Sequence, residues 1–299
     1  MKILVPTDFS DLSLKAFEAA NKYAELFDGK IYPMHSHIPV TEMDEPYALG
    51  MGSNVYHNYE EVEQSISERL QEIADENVDE NKLGDIIVSM GNPAQAIITE
   101  AEGYDLIVLS THGRTGFKRF LLGSVAEKVL RLAQIPVLVV EDESDLGDLK
   151  NILVTTDFSD NANAAYPHAL DIAKKTGGNV TILHVLSTDY YDEDVDVDTK
   201  PDKNIKKIRD QRVKLIEKNY FHTLKDKVSS EVLWYDGSPH EAIYAHVKEK
   251  NYNLIVMSTV GRTGIKYLML GSTTANVVRN VNTAVLSVRP PKQSTAKED

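Results

Sequence analysis

The sequence predicts an α/β protein made of two consecutive doubly wound domains, each with a parallel five-stranded sheet. Two observations carry that expectation. Short apolar, β-branched runs alternate with stretches of helical periodicity along the whole chain, the pattern of βαβ units whose sheet is covered on both faces. The chain also writes itself twice. Ile3-Leu4-Val5-Pro6-Thr7-Asp8-Phe9-Ser10-Asp11 returns as Ile152-Leu153-Val154-Thr155-Thr156-Asp157-Phe158-Ser159-Asp160, and residues 110–124 return as 258–272. Asp8 and Asp157 stand 149 residues apart, Gly91 and Gly237 146, and Gly113 and Gly261 148. Such spacings far exceed solenoid periods, so they mark duplicated domains rather than an array.

Each element follows from its pattern. Lys2 to Pro6 reads as a buried strand, and Ser10 through Phe27 as a helix with Leu12, Leu14, Phe17, Ala20, Tyr23 and Leu26 on one stripe and Ser10 or Asp11 as N-cap. Strands follow at 31–35, 85–89, 106–110 and 137–140, with helices at 62–76, 93–102 and 124–133 between them. Gly91-Asn92-Pro93 introduces the third helix, because proline suits a first helical turn. In the second half strands are expected at 152–156, 179–185, 230–235, 254–258 and 284–288, and helices at 160–176, 204–224, 239–249 and 272–280. The domains are expected at 1–143 and 151–290, with a charged linker lacking a core pattern at 144–150 and a polar tail at 291–299. Two long excursions, 38–59 and 187–202, follow the second strand of each half; solvated loops account for them better than a metal site.

Composition narrows the function classes. The 299 residues carry 32 Lys+Arg against 46 Asp+Glu, a net charge of −14, which repels nucleic-acid backbones and anionic membranes. Zero cysteines exclude disulfides, thiolate catalysis and cysteine-based zinc sites, and suit a reducing compartment. The chain opens directly on a strand pattern with no signal peptide or membrane span in view, so the expected location is the cytoplasm.

The chemistry lies at the strand ends. In an open doubly wound sheet ligands bind beyond the carboxyl ends of the strands where the winding reverses. Asp8 closes the first strand and Ser110 to Gly113 follow the fourth, so if those strands are neighbours one carboxylate and one glycine turn share a crevice. Asp157 and Ser258 to Gly261 repeat the arrangement. The acid can accept from ribose hydroxyls or a base, while the Gly113 turn and the helix start at Gly123-Ser124 can offer N–H donors to phosphate. Ser124, with Glu127 three residues on, also fits a capping box, and capping and phosphate contact stand as equal readings; Ser272 faces Ala275 there and can cap only singly. Arg114, Lys118, Arg119, Arg262 and Lys266 gather beside these turns in an acidic chain, which favours a nearby anion.

With these residues assembled, both halves resemble the universal stress protein family in its tandem form. The likeness rests on Pro6-Thr7-Asp8-Phe9-Ser10, the Leu-Ile-Val strand at 106–108, and Gly113 followed nine residues later by Gly123-Ser124-Val125. It implies an adenine-nucleotide-alpha-hydrolase-like, Rossmann-like fold. It further implies binding of ATP, or of ADP or AMP, with Mg accompanying the nucleotide. Carried over, the family pattern puts Pro6, Asp8 and Ser36 near adenosine, and Leu109, Ser110, Gly113, Gly123, Ser124 and Val125 near the phosphates. In the second half the matching positions are Asp157, Val185, Met257, Ser258, Gly261, Gly271, Ser272 and Thr273. The family commonly dimerises through its last strand, so residues 136–140 and 284–288 are expected to pair within the chain as a pseudo-dimer, or between chains as a homodimer.

Departures from the pattern bear on that reading. Ser110 and Ser258 stand where the family motif has its first glycine, bringing a Cβ and a hydroxyl to the phosphate end. Thr155 replaces the expected proline and Val260 the counterpart of His112, which ranks the first site ahead of the second. No Gly-x₄-Gly-Lys-Ser/Thr motif occurs, so at most slow ATP hydrolysis is expected. His35 and His37 can be a metal pair or, more simply, a half-buried polar pair, and His184 reads as a hydrogen-bonded core residue. The leading reading is a nucleotide-responsive regulatory or protective module of the stress response with an unidentified protein partner. Its rivals are a scaffold or chaperone-like protein without nucleotide, and a slow hydrolase.

Overall fold

A computed structural model describes residues 1–38, 54–111, 122–187, 201–222, 225–261 and 270–291, with the side chains of 54–59, 201–204 and 225 left aside. The chain divides into two compact units, Met1–Asp142 and Glu143–Asp299. The first contains β1 (Lys2–Pro6), α1 (Asp11–Phe27), β2 (Lys30–His37), α2 (Asn54–Asn77), β3 (Ile87–Met90), α3 (Pro93–Glu100), β4 (Leu106–Ser110), α4 (Ser124–Leu132) and β5 (Val137–Val140). The second repeats it as β6 (Asn151–Thr155), α5 (Ala165–Thr176), β7 (Asn179–Ser187), α6 (Pro201–Tyr220), β8 (Val228–Tyr235), α7 (Pro239–Glu249), β9 (Leu254–Ser258), α8 (Ser272–Asn280) and β10 (Ala284–Val288).

Within the first unit the strand order is β3-β2-β1-β4-β5, and within the second β8-β7-β6-β9-β10, with parallel neighbours throughout. The winding therefore reverses between β1 and β4, and between β6 and β9. Ile3, Leu4 and Val5 of β1 are fully buried, as are Ile152 and Leu153 of β6, the signature of strands covered on both faces. Ala16, Phe17, Ala20, Tyr23 and Ala24 form the buried stripe of α1 at helical spacing. Ser10 is its N-cap, accepting the Ser13 N–H. Pro93 and Pro239 enter the first turns of α3 and α7 as expected, each behind a glycine with positive φ, 116° at Gly91 and 141° at Gly237.

Several boundaries move for identifiable reasons. α2 begins at Asn54 rather than near 62, since no glycine or proline interrupts 54–77. The stretch expected as a helix from 160 splits into a 3-10 turn, Ala162–Ala164, and α5. Pro167 has no N–H to donate, so the α-helix starts where that proline falls in its first turn. The charged stretch before β6 does supply core: Leu146 and Leu149 are buried, and the Leu149 carbonyl accepts from the Thr176 hydroxyl.

Candidate functional site

The two acids sit where each winding reverses, on the short turn that leaves β1 or β6. Asp8 lies two residues beyond Pro6, and its Oδ1 accepts the Ser10 N–H at 3.1 Å and the Ser10 hydroxyl at 2.6 Å. Asp157 Oδ1 does the same with Ser159, at 2.9 and 2.6 Å. One oxygen of each carboxylate is thus engaged in closing the turn. The threonine before each acid accepts the N–H of the phenylalanine after it, Phe9 to Thr7 Oγ1 and Phe158 to Thr156 Oγ1, both at 3.0 Å. These phenylalanines adopt left-handed backbone, φ 66° and 64°, a conformation that bulky residues take only where their surroundings impose it.

A histidine on the neighbouring strand lies against each turn. His35 Nδ1 lies 2.8 Å from the Thr7 carbonyl and His184 Nδ1 2.8 Å from the Thr156 carbonyl. A carbonyl only accepts, so Nδ1 carries the proton in both rings. Phe9 stacks on His35 at 4.2 Å between centroids, and Phe158 lies 4.5 Å from His184. The sequence reading of His184 as a hydrogen-bonded core residue agrees with this geometry. Neither ring was singled out there as organising the acid, although one signal was present: Thr and His recur 28 residues apart in both halves. Among the described residues no cluster of three or more His, Asp or Glu is arranged to hold a metal.

In the second unit the glycine turn meets the acid. A Cβ placed on Gly261 would stand 2.7 Å from Asp157 Oδ2, and the Gly261 carbonyl accepts from Asn161 Nδ2 at 3.3 Å. The Ser258 hydroxyl turns onto its own loop, donating to the Val260 carbonyl at 2.9 Å and accepting the Val260 N–H at 3.3 Å. The Ser258 carbonyl receives the Thr274 hydroxyl at 2.7 Å, and the Gly271 N–H donates to the Thr259 carbonyl at 2.8 Å. Asp157 thus meets Gly261, while Ser258 and Gly271 join the same turn through Val260, Thr274 and Thr259, with Met257 buried on β9 immediately before them. In the first unit Leu109 and Ser110 end β4 next to β5, and the Gly123 N–H donates to the Thr111 carbonyl at 2.8 Å. Gly113, His112, Arg114, Lys118, Arg119, Arg262 and Lys266 lie outside the described residues.

One expectation changes at the helix starts. The N-cap of α4 is Gly123, not Ser124, and the N-cap of α8 is Gly271, not Ser272. Ser-x-x-Glu fits a capping box by spacing, but the glycine is the residue in extended backbone, anchored by the threonine carbonyl twelve residues earlier in the chain. Ser124 and Ser272 become first-turn residues with exposed side chains, next to half-buried Val125 and Thr273. Intrahelical bonding resumes at the Glu127 and Ala275 N–H groups. Helix geometry leaves the N–H groups of Ser124, Val125 and Ala126, and of Ser272, Thr273 and Thr274, without partners inside the helix, at its positive end. On the strands that flank β1 and β6 on the other side, the Ser36 hydroxyl on β2 donates to the Gly91 carbonyl at 3.1 Å, and Val185 is half-buried on β7. Pro6 pairs with Met34 across β1 and β2.

The matching turns are anchored differently. In the first unit Thr7 Oγ1 pairs with the Ser13 hydroxyl at 2.7 Å; in the second, Thr156 Oγ1 pairs with the Tyr220 hydroxyl at 2.9 Å. Tyr220 also donates to Asn163 Oδ1 at 2.6 Å, accepts the Tyr166 hydroxyl on its backbone carbonyl, and packs edge-on against the Tyr166 ring. Burial holds the Tyr220 phenol above its usual range despite the hydrogen bond from Thr156, and burial, reinforced by Tyr220, pushes Tyr166 up to about 12. A raised tyrosine keeps its proton more tightly folded than unfolded. This contribution to stability is therefore complete below the ordinary value of 10.0 and is lost as pH rises through the folded values. Tyr220→Phe should lower stability by about 1–2 kcal/mol and flatten the decline in melting temperature above pH 10, a change that melts between pH 8 and 11.5 would read.

The model of the universal stress protein family matches residues 1–141 and again 148–289. The chain belongs to the universal stress protein family. A universal stress protein of Methanocaldococcus jannaschii is 36% identical over 145 residues, covering 47% of this chain and 81% of that protein. One from Mycolicibacterium smegmatis is 24% identical over 308 residues, covering 96% and 97%. The crystal structure of a universal stress protein from Archaeoglobus fulgidus superposes with a TM-score of 0.69 at 25% identity, covering 96% of this chain and 98% of that one. This family member is therefore a tandem of two universal stress domains with the family's Rossmann-like α/β fold. None of its helices, among the described residues, is long and apolar enough to cross a membrane.

Proposed function

We propose that this universal stress protein binds an adenine nucleotide, ATP or its di- or monophosphate, as a regulatory or protective module of the stress response in the cytoplasm. The observation that carries the reading is the meeting of Asp157 Oδ2 with Gly261, on a loop tied by hydrogen bonds to the start of α8. An acceptor-rich acid and a donor-rich helix start then flank one crevice. Asp8 or Asp157 would accept from ribose hydroxyls or the base, and the first-turn N–H groups behind Gly123 and Gly271 would receive phosphate oxygens along the helix dipole. Mg would travel with the nucleotide's phosphates. The family resemblance points the same way.

One observation favours the scaffold alternative in the second unit: the Ser258 hydroxyl is satisfied within its own loop and takes up the Val260 N–H. A single experiment separates the readings. Purified protein is denatured and the supernatant weighed by mass spectrometry, and ATP is titrated while melting is followed. Co-released adenine nucleotide, or a melting temperature that rises with ATP, is expected, with affinity falling at least about tenfold in D8A/D157A. A clean supernatant and no shift at millimolar ATP would leave the scaffold reading. Phosphate release that is equal in parent and D8A/D157A would discard hydrolysis at these sites.

A further inference from the structure

We infer that His35 and His184 are positioning residues: each imidazole grips both neighbours of the crevice acid and so sets where its carboxylate points. The inference rests on the nucleotide-binding reading above and deepens it. In each unit one ring does two things. Its Nδ1–H holds the carbonyl of the threonine preceding the acid, at 2.8 Å in both cases. Its ring packs against the phenylalanine that follows the acid, stacked at 16° in the first unit and tilted at 46° in the second. The acid itself stands between these two fixed points, with its Oδ1 already turned into the serine at the start of the helix.

The arrangement appears twice, in units whose other anchors differ, since Thr7 leans on Ser13 and Thr156 on Tyr220. The threonine, the acid with its serine, the left-handed phenylalanine and the histidine are what the two share. Left-handed backbone at a bulky residue is unfavourable and persists only where contacts over-determine it. Here those contacts are the Phe N–H to the threonine hydroxyl and the ring on the imidazole. Two replacements separate the parts of the grip. Phenylalanine has the flat face without an in-plane donor, and asparagine has a donor near the Nδ1 position without the face.

The two substitutions test the inference as a pair. H35F/H184F keeps the ring face and removes the donor, and should weaken ATP binding about tenfold at a temperature where the protein is fully folded. H35N/H184N restores the donor and should recover most of that affinity. In a D8A/D157A background the histidine replacement should cost nothing further, because a residue acting through the acid has no effect once the acid is gone. If H35F/H184F does not fold, F9L/F158L removes the ring contact while keeping the histidine bond, and the same cycle is run with it; a partial loss that disappears without the acids is expected. A folded H35F/H184F that binds ATP as tightly as the parent, or a loss that persists undiminished without the acids, would overturn the inference while leaving nucleotide binding in place. A parent protein that binds no adenine nucleotide would remove both.

Discussion

Gly261→Val is expected to abolish nucleotide binding in the second unit while leaving that unit folded. The Cβ alone would stand 2.7 Å from Asp157 Oδ2, closer than such atoms approach. The carboxylate cannot simply swing aside, because its other oxygen is held by the Ser159 N–H and hydroxyl at 2.9 and 2.6 Å. Relief must come from separating the glycine turn from the acid, which opens the crevice where the two meet. Affinity should fall by at least about 100-fold, roughly 3 kcal/mol. Calorimetric titration of ATP in a D8A background, where the first site is already weakened, reads the second site. Melting should shift by only a few degrees, since the displaced groups lie at a loop rather than in the core. Unchanged affinity in G261V would move the binding site away from the Asp157–Gly261 contact.

The second large effect concerns the sheets that carry the crevices. Leu4 of β1 and Leu153 of β6 occupy the same place in the repeat, each on the strand where the winding reverses and each fully buried. Truncating either to alanine removes buried methyl groups and leaves a void between a sheet and its covering helices, at a cost of about 3 kcal/mol. That is a large part of a domain's usual margin. L4A and L153A should therefore lower the urea midpoint by similar amounts, whereas L4M and L153M should cost less than about 1.5 kcal/mol. A penalty in one variant and none in the other would show that the repeated positions are packed differently despite their equivalent sequence.

Much of this architecture is legible in the chain because it depends on local pattern. The apolar run at 3–5, the stripe of α1 and the proline turns at 93 and 239 each follow from spacing that a few neighbouring residues determine. The pairing of β1 with β4 and of β6 with β9, on which the sequence reading is conditional, brings Asp8 and Ser110, and Asp157 and Ser258, to the same ends of their strands. What escaped the sequence depends on contacts distant in the chain or on a choice between adjacent residues. Gly123 rather than Ser124 caps α4 because the Thr111 carbonyl captures the glycine N–H, a preference that the Ser-x-x-Glu spacing does not encode. The left-handed Phe9 and Phe158 pack against a histidine on the next strand, a partner 26 residues away in each half. Tyr220 reaches Thr156 across 64 residues, and the orientation of the Ser258 hydroxyl is a rotamer choice that composition leaves open.

The anchors of the two turns carry a further consequence. Ser13 is six residues from Thr7 and belongs to the helix that the turn itself begins, so the hydroxyl that anchors the first acid's threonine comes from the same stretch of chain. Thr156 instead leans on the final residue of α6, and that residue also holds Asn163 and Tyr166. Fraying of that helix terminus would slacken the second acid's turn and leave its counterpart untouched, so amide exchange near Phe158 should track exchange at the end of α6, whereas exchange near Phe9 should follow α1 and the strand that carries His35.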